Sequence, residues 1–293
     1  MKVLITGLNN YLAKKVAVCL AEADCEVTCL IRNRKLLHEQ TPEKQGIKMM
    51  EGDLFRGKDL AGIDPETTVA FYFNQSPVNV LDMRVEMELL ALQRYIGALK
   101  STACQHLIYV TKLVDANVDK IDAYIRVSGL NYTIVRASNI VGKGSVLMTI
   151  LAKMSKQKMV LVSREFAKSR CQPIYIDDVC TYFNYMMLDS RTYGETYDIG
   201  GPDILTYKEI FERYLDVVKL RKKVFTLPAL GASISPFIAR YVYRFEQDIS
   251  AAFGVNVRRN LICKKNGLTK LYPLKLTPFR EAVPIALGLT EKG

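Results

Sequence analysis

Residues 2–13 read KVLITGLNNYLA, a β-branched run that is closed by Gly7 and followed by a helical apolar pattern. The helical pattern continues from Tyr11 to about Ala23 and places Val16 and Leu20 on one face. This order of strand, turn and helix predicts the first unit of an α/β fold.

Further apolar runs continue the pattern along the chain. The predicted strands are Glu26–Ile31, Ile47–Glu51, Thr68–Phe73 and His106–Val110, with helical sequence between most of them. Strands that alternate with helices indicate a doubly wound parallel sheet of the Rossmann type. Runs such as Leu107–Val110 are apolar throughout, as expected of a sheet that is covered on both faces. After Arg136 the sequence is still α/β but less regular.

The turn at Gly7 lies where a dinucleotide-binding fold holds a pyrophosphate on the N–H groups at the start of a helix. Against the fingerprint Gly-x-x-Gly-x-x-Gly, the sequence keeps Gly7 but has Asn10 and Ala13. Alanine is accepted at the third position, and asparagine tolerates the left-handed backbone that we expect at the second. The alternative is an ordinary strand-to-helix turn without a ligand.

The second predicted strand ends in cations. Residues 32–35 read RNRK, where an NAD-specific site would carry Asp or Glu. Arg32 could bind a 2′-phosphate through two hydrogen bonds, assisted by Arg34 or Lys35, so NADP(H) is preferred over NAD(H). Solvated surface charge is the alternative interpretation.

Residues 52–54 read GDL and follow the third predicted strand, where an adenine would lie. Asp53 would accept a hydrogen bond from the amino group of the base. The alternative is simple turn chemistry, in which Gly-Asp is common.

Composition excludes several classes of protein. The formal net charge is +11, but the positive residues are spread along the chain and lack interleaved aromatics, so nucleic-acid binding is not expected. Seven cysteines without a Cys-x-x-Cys pair, and only two histidines, indicate a reducing compartment and no metal site. We find neither a signal peptide nor a run of about 18 apolar residues, and therefore expect a soluble, cytoplasmic protein.

Four segments make the sequence similar to the atypical short-chain dehydrogenase/reductases, in the NmrA-like and sugar-epimerase-like branch. They are Thr6-Gly7 with Tyr11-Leu12, Gly52-Asp53-Leu54, SGLNYTIVRASNIVG at 128–142, and QPIYIDDV at 172–179. The third is the most specific, and YDIGGP at 197–202 with LTY at 205–207 extends the resemblance over nearly the whole chain.

The resemblance implies a dinucleotide in the cleft above Gly7 and a substrate under the C-terminal part of the chain. We expect a dinucleotide-binding Rossmann core over 1–143, completed by 171–200, and a smaller substrate-side lobe formed by 144–170 and 201–293. The residues expected at the dinucleotide are Gly7, Asn9, Asn10, Tyr11, Leu12, Arg32, Asn33, Arg34, Asp53, Leu54, Asn74, Gln75, Ser76 and Thr111.

The catalytic motif of the wider family is degenerate here. Its reductases use a Ser or Thr after the fifth strand and a Tyr-x-x-x-Lys on the next helix, and this chain has Thr111 but places Val114 and Val118 near the Tyr and Lys positions. Lys120 and Tyr124 share one helix face in the reversed order, so they are weak catalytic candidates. A solvated lysine beside a half-buried tyrosine is the alternative.

Three other polar or aromatic groups have structural interpretations. The pair Asp177-Asp178 suggests a helix cap by Asp177 rather than an acid/base or metal site. Arg136 is expected to pair structurally at the junction of the two lobes. Four aromatic residues either line the substrate lobe or belong to its core: Tyr182, Tyr185, Phe237 and Tyr241.

The sequence therefore predicts an NAD(P)(H)-binding protein without the standard Tyr/Lys catalysis, acting as a redox sensor or as an assembly or regulatory factor. An NADPH-dependent oxidoreductase or epimerase-like enzyme on an unknown small molecule is the first alternative. A basic interaction protein is the second. The expected partners are the dinucleotide and an unknown small molecule or protein.

Overall fold

The computed structural model describes residues 1–33, 47–57, 59–74, 83–115, 117–227, 243–244 and 259–290. A sheet of seven parallel strands forms its centre. In chain order these strands are β1 (Lys2–Thr6), β2 (Glu26–Ile31), β3 (Ile47–Glu51), β4 (Val69–Phe73), β5 (His106–Lys112), β6 (Tyr132–Ala137) and β11 (Glu195–Ile199).

The spatial order of the strands is β3-β2-β1-β4-β5-β6-β11. The chain moves outward from β1 to β3, then returns to the other side of β1 with β4, so the strand order reverses between β1 and β4. Ligands of doubly wound sheets bind in the crevice at the carboxyl ends of the strands at such a reversal. The predicted Rossmann-type α/β fold is confirmed.

Helices cover both faces of the sheet. They are α1 (Tyr11–Glu22), α2 (Met83–Leu99), α3 (Val118–Arg126), α4 (Val146–Ser155), α5 (Arg164–Lys168), α6 (Ile176–Met186), α7 (Tyr207–Val217), α8 (Gly267–Leu271) and α9 (Phe279–Leu287). In the described residues, no helix combines the length and the apolar character that a membrane span requires.

Successive residues of each strand enter two separate hydrophobic cores, because side chains alternate across a strand. Val3 and Ile5 of β1 pack with α1 and α6 in the first core. Leu4 packs with α2 and α3 in the second core, beside Tyr95 and Ile121. Burial on both faces is the reason that the central strands β4 and β5 are almost continuously apolar.

Three small strand pairs lie outside the central sheet, in the described part of the chain from residue 140 onward. The additional strands are β7 (Ile140–Val141), β8 (Val160–Val162), β9 (Arg170–Cys171), β10 (Ile174–Tyr175), β12 (Leu205–Thr206) and β13 (Val224–Thr226). β7 pairs with β10, β8 with β13, and β9 with β12. They position the start of α4 next to the ends of β5 and β6.

The prediction that Asp177 caps a helix is wrong. β10 runs directly into α6, so Tyr175 occupies the N-cap position, and Asp177 and Asp178 both lie in the first helical turn. Carboxylates are favourable there because the N-terminus of a helix carries positive partial charge. Asp178 accepts hydrogen bonds from the backbone N–H of Thr277 at 2.8 Å and from its hydroxyl at 3.0 Å, which fixes the C-terminal segment to α6.

A buried ion pair joins the neighbouring strands β6 and β11, and its carboxylate also binds the C-terminal segment. Arg136 thus has a structural partner, whereas its place at a junction of two lobes stays a prediction. The Nε atom of Arg136 donates to Asp198 Oδ1 at 2.7 Å, and the Asp198 side chain is 1% exposed. The other oxygen of Asp198 accepts from the backbone N–H groups of Lys264 and Lys265 at 2.7 and 2.9 Å. Both oxygens of this carboxylate are therefore satisfied.

We predict that Asp198→Ala lowers the free energy of unfolding by about 3–5 kcal/mol, because it leaves the Arg136 charge and two N–H groups without their partner. Chemical denaturation of the variant measures this loss. Asp216→Ala, at an exposed position of α7, is the matched control and should change stability by less than about 0.5 kcal/mol. If Asp198→Ala lowered the free energy of unfolding by less than about 1 kcal/mol, the contacts of Asp198 with Arg136 and the C-terminal segment would not be important for stability.

Candidate functional site

Two pockets lie at the carboxyl edge of the sheet, on the two sides of the strand reversal. The first has a volume of about 140 Å³ and is formed where β1, β2 and β3 end, by residues 6–9, 30–33 and 52–55. The second has a volume of about 150 Å³ and is formed by the ends of β4, β5 and β6 with the starts of α1 and α4. The turn between β1 and α1 contributes residues to both pockets.

The turn at residues 7–10 has the shape of a phosphate turn at its first residue. Gly7 has a φ of 85°, a left-handed conformation that favours glycine, and its carbonyl accepts from the N–H of Asn10 at 2.7 Å. Ala13, at the third fingerprint position, is fully buried in the first core. The small side chain thus permits close packing of α1 on the sheet.

The expectation that Asn10 is left-handed is wrong. Asn10 has a φ of −80° and a ψ of 132° and is the N-cap of α1, and its Oδ1 atom accepts from the backbone N–H of Leu12 at 2.9 Å. Asparagine is among the best N-cap residues because its side chain satisfies an N–H group that has no partner within the helix. The carboxamide therefore uses a donor that a bound phosphate would otherwise use.

Arg32 lines the first pocket from the end of β2 and is exposed to solvent. Asn33 follows it and is also exposed. Neither of these two residues is the Asp or Glu that an NAD-specific site would carry here. Arg34 and Lys35 lie outside the described residues. The pocket thus has a cation at the place where the sequence predicted one.

Asp53 lines the same pocket and forms the turn that the sequence analysis gave as its alternative role. Its Oδ1 atom accepts from the backbone N–H groups of Phe55 and Arg56 at 2.8 and 3.2 Å. Its Oδ2 atom lies 3.8 Å from Arg56 Nε. A Cβ atom at Gly52 would lie 2.8 Å from Leu30 Cδ1, so a side chain there would require this end of Leu30 to move. Leu54 lines the pocket beside Asp53.

The second pocket contains five of the residues that were expected near a dinucleotide: Asn10, Tyr11, Leu12, Asn74 and Thr111. Gln75 and Ser76 lie outside the described residues, as do Phe237 and Tyr241. Asn9 lines the first pocket and is exposed. The described members of the predicted set are therefore divided between the two pockets.

A hydrogen-bonded network lies at the end of β5 beside the second pocket. The hydroxyl of Thr111, a buried residue, donates to Asp115 Oδ2 at 2.6 Å. Nδ2 of Asn74 donates to the same oxygen at 3.1 Å and to the Tyr109 hydroxyl at 2.8 Å. Oδ1 of Asp115 accepts from the N–H of Asn117 at 2.9 Å. The sequence analysis did not identify Asp115 as a site residue. The one feature of the sequence that could have pointed to it is its position four residues after Thr111.

The tyrosines around the second pocket are poor acids. Burial raises the pKa of Tyr109 well above its usual range, and the nearby Glu88 and Asp115 charges raise it further. Burial also raises the pKa of Tyr11, whose hydroxyl is buried without a hydrogen-bond partner among the described residues. A side chain at Gly142 would collide with this hydroxyl.

The positions predicted for the catalytic Tyr and Lys carry no proton-transferring group. Val114 lines the second pocket, and Val118 is buried in the second core. Lys120 is exposed and Tyr124 packs against the second core, and neither lines this pocket. The structural interpretation of the Lys120 and Tyr124 pair matches their placement.

The aromatic residues of α6 do not line this site. Tyr182 is buried in the first core, and its hydroxyl has no hydrogen-bond partner among the described residues. Tyr185 is exposed and stacks on Tyr272 with ring centroids 5.6 Å apart. Among the described residues, no group of three or more His, Cys, Asp or Glu side chains could hold a metal ion.

The fold is shared with solved structures of sugar-nucleotide enzymes. A nucleoside-diphosphate-sugar epimerase from Staphylococcus aureus has a TM-score of 0.71 and 13% identity, over 97% of this chain and 99% of that chain. UDP-glucose 4-epimerase from Thermus thermophilus, in complex with NAD, has a TM-score of 0.70 and 14% identity, over 98% of each chain. dTDP-glucose 4,6-dehydratase from Bacillus anthracis, also in complex with NAD, has a TM-score of 0.72 and 12% identity, over 98% of this chain and 96% of that chain. No family model matches the sequence, and no curated protein matches it.

We predict that Asn10→Gly strengthens dinucleotide binding several-fold, because it frees the Leu12 N–H and removes bulk from the phosphate turn. The cost to helix stability should be small, a few tenths of a kcal/mol, since glycine is tolerated at an N-cap. Calorimetric titration with NADPH measures the affinity. Weaker binding by the variant would show that the Asn10 carboxamide contacts the ligand directly.

Proposed function

We propose that the chain binds NADP(H) across the two pockets and uses it as an oxidoreductase of small alcohol or carbonyl compounds. The observation that carries the proposal is the shared turn: residues 6–9 line the first pocket and residues 10–12 line the second. A pyrophosphate on this turn would leave one nucleoside in each pocket. The start of α1 would supply a backbone donor to such an anion once the Asn10 side chain leaves the Leu12 N–H.

The residues of the first pocket fit an adenosine with a 2′-phosphate. Arg32 is exposed at the end of β2, where its guanidinium can reach a phosphate by two parallel hydrogen bonds. Oδ2 of Asp53 is available to the amino group of an adenine, because the turn uses Oδ1. Leu54 and Asn33 complete the wall, with Arg34 as a further cation from the sequence. These features support NADP(H) over NAD(H).

The residues of the second pocket fit the nicotinamide half and a substrate. When bound, the nicotinamide supplies or accepts a hydride. Asn74 and Thr111 provide polar contacts at the ends of β4 and β5, and the sequence adds Gln75 and Ser76 after Asn74. Thr111 presents a buried hydroxyl to the pocket and would orient the oxygen of the substrate.

A redox sensor or an assembly or regulatory factor is the second candidate function. Val114 and Val118 favour it, because neither can exchange a proton at the positions of the missing Tyr and Lys. The same two residues support assignment to the atypical branch with a degenerate catalytic motif. The two candidates share the dinucleotide and differ in turnover, so hydride transfer from bound NADPH to an added carbonyl compound distinguishes them.

We predict micromolar binding of NADPH and weaker binding of NADH in calorimetric titrations of the purified protein, after a denatured sample has been checked for co-purified nucleotide. Arg32→Ala should weaken NADPH by about tenfold or more and leave NADH within about twofold, since a charge-assisted contact to phosphate contributes about 1.5–3 kcal/mol.

Arg164→Ala is the matched control, because this exposed arginine lies at the start of α5, away from both pockets. It should change neither affinity. Equal losses of NADPH and NADH in Arg32→Ala would contradict the 2′-phosphate role. No binding of either nucleotide by the folded wild-type protein would contradict the proposed function.

A further inference from the structure

We propose that Asp115, acting through the Thr111 hydroxyl, exchanges the proton of an alcohol or carbonyl substrate in the second pocket. This proposal rests on the proposed function, and it assigns to a loop carboxylate the proton exchange for which Val114 and Val118 stand at the expected Tyr and Lys positions. Thr111 is then the catalytic residue that touches the substrate oxygen. Asp115 acts through it as the proton acceptor.

The geometry connects the pocket to the carboxylate by one short hydrogen bond. Thr111 lines the pocket, and its Oγ1 atom lies 2.6 Å from Asp115 Oδ2. Because Thr111 donates its own proton to Asp115, a lone pair of Oγ1 remains to accept from a substrate hydroxyl. A proton from the pocket can therefore reach Asp115 by two transfers.

Asp115 is held in one orientation. Its oxygens accept from Thr111, from Nδ2 of Asn74 and from the N–H of Asn117, at 2.6, 3.1 and 2.9 Å. Donors thus satisfy both oxygens of the carboxylate and fix its position beside Thr111. Asn74 is itself oriented by the Tyr109 hydroxyl at 2.8 Å. The network thus prepares a proton acceptor at a fixed place.

The tyrosines near Asp115 are not suited to this role. Tyr109, on β5, is held protonated by burial. Tyr72 on β4 stacks on Tyr109, and burial raises its pKa, with a smaller contribution from the charge of Glu88 on α2. Glu88 is buried and does not line the pocket. Lys112, next to Thr111 on β5, lines the pocket, and burial lowers the pKa of its amine while the charge of Asp115 partly offsets this effect.

The proposed step is balanced in both directions. In oxidation, the substrate hydroxyl gives its proton to Thr111 Oγ1, the Thr111 proton moves to Asp115 Oδ2, and the carbinol hydrogen leaves with its electron pair to NADP⁺. The products are a carbonyl compound, NADPH and protonated Asp115, which returns its proton to water. Reduction of a carbonyl compound is the reverse, and it consumes the proton of Asp115.

The remaining wall of the pocket indicates the substrate class. Leu113, Val114, Ile140, Val146 and Leu147 supply apolar surface around the Thr111 hydroxyl. The substrate that this lining fits carries its alcohol or carbonyl group on an apolar body.

The first test needs no substrate. A carboxylate beside the nicotinamide attracts the cationic ring of NADP⁺ but not the neutral ring of NADPH. At pH 7, Asp115→Asn should therefore weaken NADP⁺ about tenfold and leave NADPH within about twofold, the effect of one opposite charge within 4–6 Å. For this two-electron couple a tenfold change corresponds to about 30 mV in the potential of the bound dinucleotide. Asp115→Glu should restore most of the preference.

The controls separate charge from structure and the proposal from the proposed function. Asp119→Asn removes an exposed carboxylate from α3 and should change neither affinity. Equal losses of NADP⁺ and NADPH in Asp115→Asn would overturn the proposal and leave dinucleotide binding intact. Failure of the wild type to bind either nucleotide would instead remove the proposed function on which it rests.

The second test follows NADPH oxidation by 9,10-phenanthrenequinone, a carbonyl probe with an apolar body. Asp115→Asn should be at least tenfold slower than the wild type, because its carboxamide cannot give a proton to the reduced substrate. Thr111→Val should also lose at least tenfold while keeping the preference for NADP⁺. No turnover by the wild type, or a wild-type rate in Asp115→Asn, would overturn the catalytic role.

Discussion

In a parallel sheet every strand ends at the same edge, and this constraint brings the candidate site together. Its residues come from distant parts of the sequence, one group from the end of each strand. They are the turn after β1, Arg32 after β2, Asp53 after β3, Asn74 after β4 and Thr111 near the end of β5. They lie at one edge because crossover connections between successive strands make all of these strands parallel. The two pockets are a direct consequence of this topology and of the reversal between β1 and β4.

The phosphate turn shows a competition between helix stability and ligand binding. A glycine at position 10 would leave the N-terminus of α1 open to an anion, whereas Asn10 satisfies the Leu12 N–H from within the chain. Under the proposed function, a bound dinucleotide would have to replace this internal hydrogen bond. The chain thus retains the geometry of an anion site with a competing cap built into it.

Much of the fold follows from the sequence because the strands combine length, continuous apolar character and regular alternation with helices. The predicted bounds of β1, β2 and β3 agree with the structure, and the cation at Arg32 lies where its place after β2 required. The division of the chain into a core and a smaller lobe stays a prediction. The spacing of apolar residues within one strand or helix predicts that element, and it can be recognised without knowledge of tertiary contacts.

The failures concern residues whose role depends on contacts made across the chain. Asn10 could adopt a left-handed conformation or cap a helix, and only the packing of α1 decides between them. Asp177 could not be recognised as a non-capping residue until β10 was seen to run directly into α6. Asp115 lies in a loop without periodicity, and its partners Thr111 and Asn74 identify it only once β4 and β5 are adjacent.

The central claim is that one dinucleotide spans both pockets across the turn at Gly7. A crystal structure of the protein grown with NADP⁺ tests it most directly. The account predicts the pyrophosphate at the start of α1, the 2′-phosphate at Arg32 and the nicotinamide beside Thr111, with the Asn10 side chain displaced from the Leu12 N–H. A nucleotide bound elsewhere, or a crystal grown at saturating NADP⁺ that leaves both pockets empty, would contradict it.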